Sequence, residues 1–311
     1  MAGAAPLGVR WGLAGGTELS TVAEVGALAS WAGDVGFESF WVSQARAVDP
    51  VVALAAAASQ CERLSEVGTS VVPLYGRHPF PVAQMARTAQ SALGGRLTLG
   101  IGPSHAGPVA DTFGLGWERP LGYTVEFLDG LQPLLAGRAV AAEGEQLVTR
   151  AELQIEADDT PILLAALGPR MLDLAGRRTA GTTVGQCGPR TIAGHVAPRI
   201  RAAAADAGRP EPRIMALIRL CVTEDRAAAF ALAQEVGARY AAMPSYASVL
   251  ALEGLDEPGE LHLIGSAEEV LDGLGRYAEA GVTDFRLEIA APDERSRASS
   301  QEALAGYLAA G

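Results

Sequence analysis

Along most of the chain, short apolar runs rich in β-branched residues alternate with segments whose apolar residues recur at helical spacing. The runs read as strands at 7–13 (LGVRWGL), 37–43 (FESFWVS), 64–72 (LSEVGTSVV) and 96–102 (RLTLGIG). Four more follow at 161–167 (PILLAAL), 181–187 (GTTVGQC), 213–222 (RIMALIRLCV) and 282–289 (VTDFRLEI). Helix ends are legible between them. Ser20 or Thr21 can cap the first helix, and Gly36 sits where it stops. Asp49-Pro50 opens the second and Pro120 opens another, whose Phe127, Leu128, Leu131, Leu134 and Leu135 share one face. Ser266 with Glu269 makes a capping box, and a last helix runs near 296–310. Eight strand–helix repeats predict a closed (β/α)8 barrel, although an open doubly wound sheet uses the same alternation. Two segments exceed the repeat. Residues 137–160 alternate like a hairpin and read as an insertion after helix four; residues 241–260 read as an extra helix after strand seven.

Composition narrows the partners. The chain has 311 residues, 49% of them hydrophobic and 5% aromatic, enough for one large barrel domain spanning 1–311. Its formal charge is −12, from 24 basic against 36 acidic residues, with no long basic run. Nucleic acid and anionic membrane surfaces are therefore not expected partners. The three cysteines, Cys61, Cys187 and Cys221, are far apart and odd in number. That excludes a disulfide scaffold and a C-x-x-C metal site, and it fits a reducing cytoplasm. The longest apolar run, 51–58, is too short to span a bilayer, and the N-terminus lacks a signal-peptide pattern.

Chemistry in such a barrel gathers where strands end and helices begin. Two strand ends carry Gly-Pro-Arg, at 168–170 and 188–190. Glycine admits close approach of a ligand, a helix start offers N–H groups to an anion, and arginine can add a bidentate contact. The opposing reading, a shaped turn with a solvated arginine, is equally open. Arg77 and His78, before Pro79, read as loop packing. His105 ends the stretch RLTLGIGPSH and can exchange a proton near neutral pH, or simply be a satisfied loop histidine. Gly100 and Gly102 begin a G-x-G-x-x-G spacing that His105 breaks, so a dinucleotide loop is excluded. His195 and His262 have no evident partners, and no metal site is read. Trp11, Tyr75, Trp117 and Tyr246 are candidate pocket walls, with ordinary core as the opposing reading for each.

Three stretches carry a resemblance: AGDVGFESFWVSQ (32–44), VGTSVVPLYGRHPFPVAQMARTAQSALGGRLTLGIGPSH (67–105) and LLAALGPRMLDLAGRRTAGTTVGQCGPR (163–190). They resemble the luciferase-like monooxygenase superfamily, in its coenzyme F420-dependent branch, which includes methylenetetrahydromethanopterin reductases. The resemblance implies a (β/α)8 TIM barrel of the bacterial-luciferase type. It also implies a non-prolyl cis peptide at Ser70–Val71 backing a deazaflavin ring, with Ser43, Gln44 and Gly102 near the ring. It places the phosphate arm around Leu167, Gly168, Cys187, Gly188, Pro189 and Arg190. His105, where relatives carry glutamate, would face the reacting part of the ring, the glycines before it admitting the cofactor. Gln44-Ala45 replaces an Asp-His pair, so sugar-phosphate dehydrogenase chemistry is not expected. The implied activity is hydride transfer between the deazaflavin C5 and a C=C or C=N bond of a small organic substrate, in a homodimer. The alternatives are an FMN-dependent two-component monooxygenase on the same fold, or a non-catalytic protein that binds flavin or deazaflavin. The segment at 241–260 is a candidate lid.

Overall fold

The computed structural model describes residues 6–310. Eight parallel strands alternate with helices, as the pattern predicts: β1 (Arg10–Gly15), β2 (Ser39–Val42), β3 (Glu66–Thr69), β4 (Leu97–Gly102), β5 (Ile162–Ala165), β6 (Gly181–Val184), β7 (Arg213–Val222) and β8 (Asp284–Ile289). The fold is a (β/α)8 barrel. The described residues form two compact units, one running up to Ala14, through Ala32–Ser39 and from Ala166 onward, the other comprising Gly15–Trp31 and Phe40–Ala165.

In the first unit, β7 is the organising strand. It pairs in parallel with β6 on one side and β8 on the other, and β8 pairs with β1. Side chains alternate across β8 as a pleated strand requires. Phe285 packs edge-on against the fully buried Trp11, ring centroids 5.4 Å apart. Tyr307 of the last helix, Glu294–Ala310, lies 6.2 Å from the same indole. Trp11 is thus core, one of the two readings that the sequence left open. The opposite face of β8 carries charge. Asp284 is buried and receives Arg10 at 3.3 Å and Arg213 at 2.6 Å.

In the second unit, β3, β4 and β5 pair in parallel. β3 stops at Thr69, and pairing resumes only at Val72–Pro73 alongside Ile101 and Gly102. The predicted strand 64–72 is therefore broken in its second half. The insertion after the helix Pro120–Leu135 is an antiparallel hairpin, Val140–Glu143 with Val148–Ala151. Glu126 ties its turn down by accepting the amides of Gln146 at 2.7 Å and Leu147 at 2.8 Å. All five apolar residues read onto one face of Pro120–Leu135 are buried.

Other helix ends also follow the sequence. Thr21 caps the first helix, Asp49 the second and Ser266 the capping-box helix. The extra element in 241–260 is a helix, Pro244–Glu253.

Candidate functional site

The break in β3 centres on a cis peptide between Ser70 and Val71, where the resemblance placed it. Three contacts hold it. Ser70 N–H donates to the Val42 carbonyl at 2.9 Å, and the Ser43 hydroxyl donates to the Ser70 carbonyl at 2.9 Å. On the other side, Thr69 and Gly100 exchange two hydrogen bonds. A methyl group on Gly100 would fall 1.9 Å from the Thr69 carbonyl oxygen. One on Gly102 would fall 2.9 Å from the Ala165 Cβ and 3.2 Å from Val71 Cγ2. The two glycines let backbone and side chains close up at the bulge. Gln44 follows Ser43, and its Oε1 is buried without a hydrogen-bond partner. A buried acceptor left so is costly unless something donates to it.

Beyond Gly102, Ser104 adopts a left-handed backbone (φ 60°), a conformation that disfavours non-glycine residues. That turn delivers His105 to the start of the helix Ala106–Phe113, whose N-terminal amides its side chain does not cap. His105 is half-buried, and burial holds its pKa below the usual 6.5. The imidazole is therefore neutral at pH 7. Trp117 donates to the Pro103 carbonyl at 2.9 Å, fixing the same loop. Tyr75 is buried, stacks on Tyr123 at 4.2 Å and donates to the Glu118 carbonyl; burial raises its pKa to about 12. Arg77 pairs with Asp49 at 3.1 Å, and His78 caps the helix Pro79–Ala92 while its Nε2 meets the Val148 carbonyl. Both are structural, as read.

The Gly-Pro-Arg copies lie in the first unit and differ sharply. At 168–170, Gly168 and Arg170 are exposed, and the helix Pro169–Arg178 has no side-chain cap. The Leu167 carbonyl meets His195 Nε2 at 2.8 Å, so His195 has a partner that the sequence reading missed. At 188–190, the helical run 189–206 begins with its donors already engaged. Arg190 N–H and Thr191 N–H donate to the two carboxylate oxygens of Glu253, at 3.1 and 2.8 Å. Arg190 Nη1 donates to the Glu253 carbonyl at 3.0 Å. The donors assigned to a phosphate thus hold an internal carboxylate. Cys187 is buried, and burial and Glu253 push its thiol pKa far up, so it stays protonated. Gln186, just before it, is left-handed at φ 56°.

Sequence reasoning also missed a buried polar cluster on β7 and β8. Arg219 donates to Glu288 at 3.1 Å and to the Tyr240 hydroxyl at 3.3 Å, its guanidinium 5.2 Å from the Tyr240 ring. Tyr246, the remaining candidate wall, meets Tyr240 edge-on at 5.1 Å. Burial lowers the Arg286 pKa to about 10. The available signal was two arginines within apolar strand runs.

Residues 7–284 match the family described as luciferase-like monooxygenase. The chain belongs to that family. Among curated relatives of this luciferase-like protein is the 5,10-methylenetetrahydromethanopterin reductase of Methanolobus tindarius, 28% identical over 233 residues, covering 74% of this chain and 71% of that one. Another, from Mycobacterium tuberculosis, is described as a coenzyme F420-dependent oxidoreductase; it is 30% identical over 248 residues, covering 72% and 69%. The fold is shared with an F420-dependent secondary alcohol dehydrogenase solved with an F420-acetone adduct, at a TM-score of 0.81 and 20% identity over 95% of this chain and 98% of that one. No helix among the described residues of the luciferase-like chain is long and apolar enough to cross a membrane, and no cluster there could hold a metal ion.

Proposed function

We propose that this luciferase-like protein is an F420-dependent oxidoreductase that moves a hydride between the deazaflavin ring and a C=C or C=N bond of a small organic substrate. The observation that carries the reading is Gln44, next to Ser43, whose buried Oε1 acceptor lacks a donor. A ring with an N–H edge supplies such a donor, so these residues fit the cofactor's pyrimidine end. The relatives described as F420-dependent support the choice of ring. The Gly188 side does not fit an additional anion as it stands, because Glu253 holds its donors; the reading therefore rests on the ring side.

When bound, the deazaflavin supplies hydride chemistry without oxygen. The chain's part is to position and to exclude water. Val71 and the Ser70 carbonyl, the latter held by Ser43, present one firm surface, while Gln44 orients the ring edge. His105, neutral at pH 7 in its half-buried loop, orients a substrate heteroatom; it delivers a proton to that atom only in its protonated fraction, which grows as pH falls below 6.5.

The family's monooxygenase name favours one alternative, an FMN-dependent enzyme on the same fold. Titrating the purified protein with F420 and with FMN, then assaying turnover with and without oxygen, separates the two. The proposal expects tighter binding of F420 and oxygen-independent turnover. Preference for FMN with an absolute need for oxygen would overturn it.

A further inference from the structure

One face of β8 carries Asp284, Arg286 and Glu288, and the other carries Phe285 and Leu287, because side chains alternate along a strand. The two ends of the charged face are solvated differently. At the start, Asp284 meets Arg10 and Arg213, both of which keep part of their side chains in water. At the C-terminal end the arginines are buried. Arg219 of β7 stands in register with Glu288 and is 7% exposed; Arg286 is 6% exposed. The Glu288 carboxylate acts on both guanidiniums, and Arg219 acts on Arg286. Two guanidiniums and one carboxylate leave a surplus of one positive charge, out of water, where it is costly. All of these residues belong to the first unit.

Arg219 is not saturated by its partners. Its Nε donates to Glu288 Oε1 at 3.1 Å and its Nη2 to the Tyr240 hydroxyl at 3.3 Å. Among the described residues, nothing accepts from its Nη1. His262 is 8% exposed, is kept neutral by burial and by Arg219, and its Nε2 has no hydrogen-bond partner. Buried polar atoms are rarely left so unless something else completes them. The rim of the cluster is open, since the Glu288 side chain is partly exposed. C-terminal strand ends are also where a (β/α)8 barrel gathers its chemistry.

We infer that the C-terminal ends of β7 and β8 bind the carboxylate of an organic substrate, with Arg219 as the principal donor and Arg286 supplying the balancing charge. This names a substrate class for the oxidoreductase proposed above and rests on that reading. The charge count selects the ligand. One negative charge neutralises the cluster, whereas phosphate, with about −1.5 to −2 at pH 7, reverses its sign. The planar guanidinium fork matches the two oxygens of a carboxylate. Glu288 is a positioning residue: it holds Arg219 through Nε and leaves Nη1 for the ligand.

The test titrates wild type, Arg219→Gln and Glu288→Gln with acetate, benzoate, their amides and inorganic phosphate, by calorimetry at constant ionic strength. Circular dichroism checks the fold. If Arg219→Gln alone does not fold, the double variant Arg219→Gln/Glu288→Gln, which removes both charges of the pair, takes its place. Wild type should bind at least one carboxylate about tenfold or more tightly than its amide or phosphate. Loss of the Arg219 guanidinium should abolish that preference. Glu288→Gln keeps an acceptor for Arg219 Nε and removes the competing charge. It should therefore bind the carboxylate several-fold more tightly and gain measurable phosphate binding, which a merely structural ion pair would not produce. No carboxylate preference in wild type, a preference that survives without Arg219, or weaker carboxylate binding in Glu288→Gln overturns the inference. These titrations contain no cofactor, so the two readings fail separately. If F420 binds and the carboxylate preference is absent, the substrate class is wrong and the cofactor reading stands. If the preference follows Arg219 and no ring compound binds, the anion site stands and the cofactor reading fails.

Discussion

The Thr69 hydroxyl donates to the Gly100 carbonyl at 2.8 Å and accepts from the Gly100 amide at 2.9 Å. One side chain on β3 thus replaces the ladder bonds that the bulge at Ser70–Val71 interrupts. Gly100 has no room for a Cβ beneath the Thr69 carbonyl. Gly100→Ala should therefore prevent folding or destabilise by more than about 3 kcal/mol, the size expected when backbone must move. Thr69→Val keeps the shape and leaves two buried backbone groups unpaired; a loss of about 1–3 kcal/mol is expected. Urea unfolding of both variants checks this. A Thr69→Val protein as stable as wild type would show that the exchange contributes nothing.

Gln44 separates stability from binding. Its Oε1 is buried and unpartnered in the free protein. Replacing it with Leu removes an unsatisfied acceptor, so the melting temperature should hold or rise. Ring-cofactor affinity should fall by about tenfold, the size of one lost hydrogen bond to a buried group. Melting curves and a cofactor titration on the same sample decide the matter. A variant that melts lower and binds equally well would make Gln44 a structural residue.

His105 predicts a pH profile. Burial lowers its pKa from 6.5, so the protonated fraction grows only as pH falls below that value. If the imidazolium delivers the proton in the reductive direction, kcat/KM should rise towards acid and then level off. His105→Gln should flatten that limb and lower turnover by about a hundredfold, the lower end for general acid catalysis. Steady-state rates from pH 5 to 8 provide the measurement. A parallel profile in the variant would leave His105 only a positioning role.

His262 predicts acid sensitivity of the fold. It is 8% exposed, its Nε2 lacks a partner, and burial together with nearby Arg219 lowers its pKa to about 3. The folded state thus binds this proton less readily than the unfolded chain does. The stabilisation is complete above pH 6.5 and is lost as pH falls from 6.5 towards 3. The slope should approach about 1.4 kcal/mol per pH unit in that window. His262→Gln should remove this component. Chemical denaturation at pH 7, 6, 5 and 4 compares the two slopes, and equal slopes would discount the histidine.

The sequence by itself determined the order of elements. Apolar period and β-branched runs marked all eight barrel strands, because each strand buries its own length whatever its neighbours are. Local chemistry marked helix starts at Asp49, Pro120 and Ser266, since a cap needs only residues a turn away. Resemblance located the bulge at Ser70–Val71. Tertiary structure decided the contacts that chemistry depends on. Gly100 is glycine because of Thr69, and His195 meets Leu167 across 28 positions. The Gly-Pro-Arg copies looked alike, and only folding brought Glu253 to one of them. Such pairings arise when two separately specified elements pack together. They carry no periodic or short-range signature, so the chain's pattern alone could not reveal them.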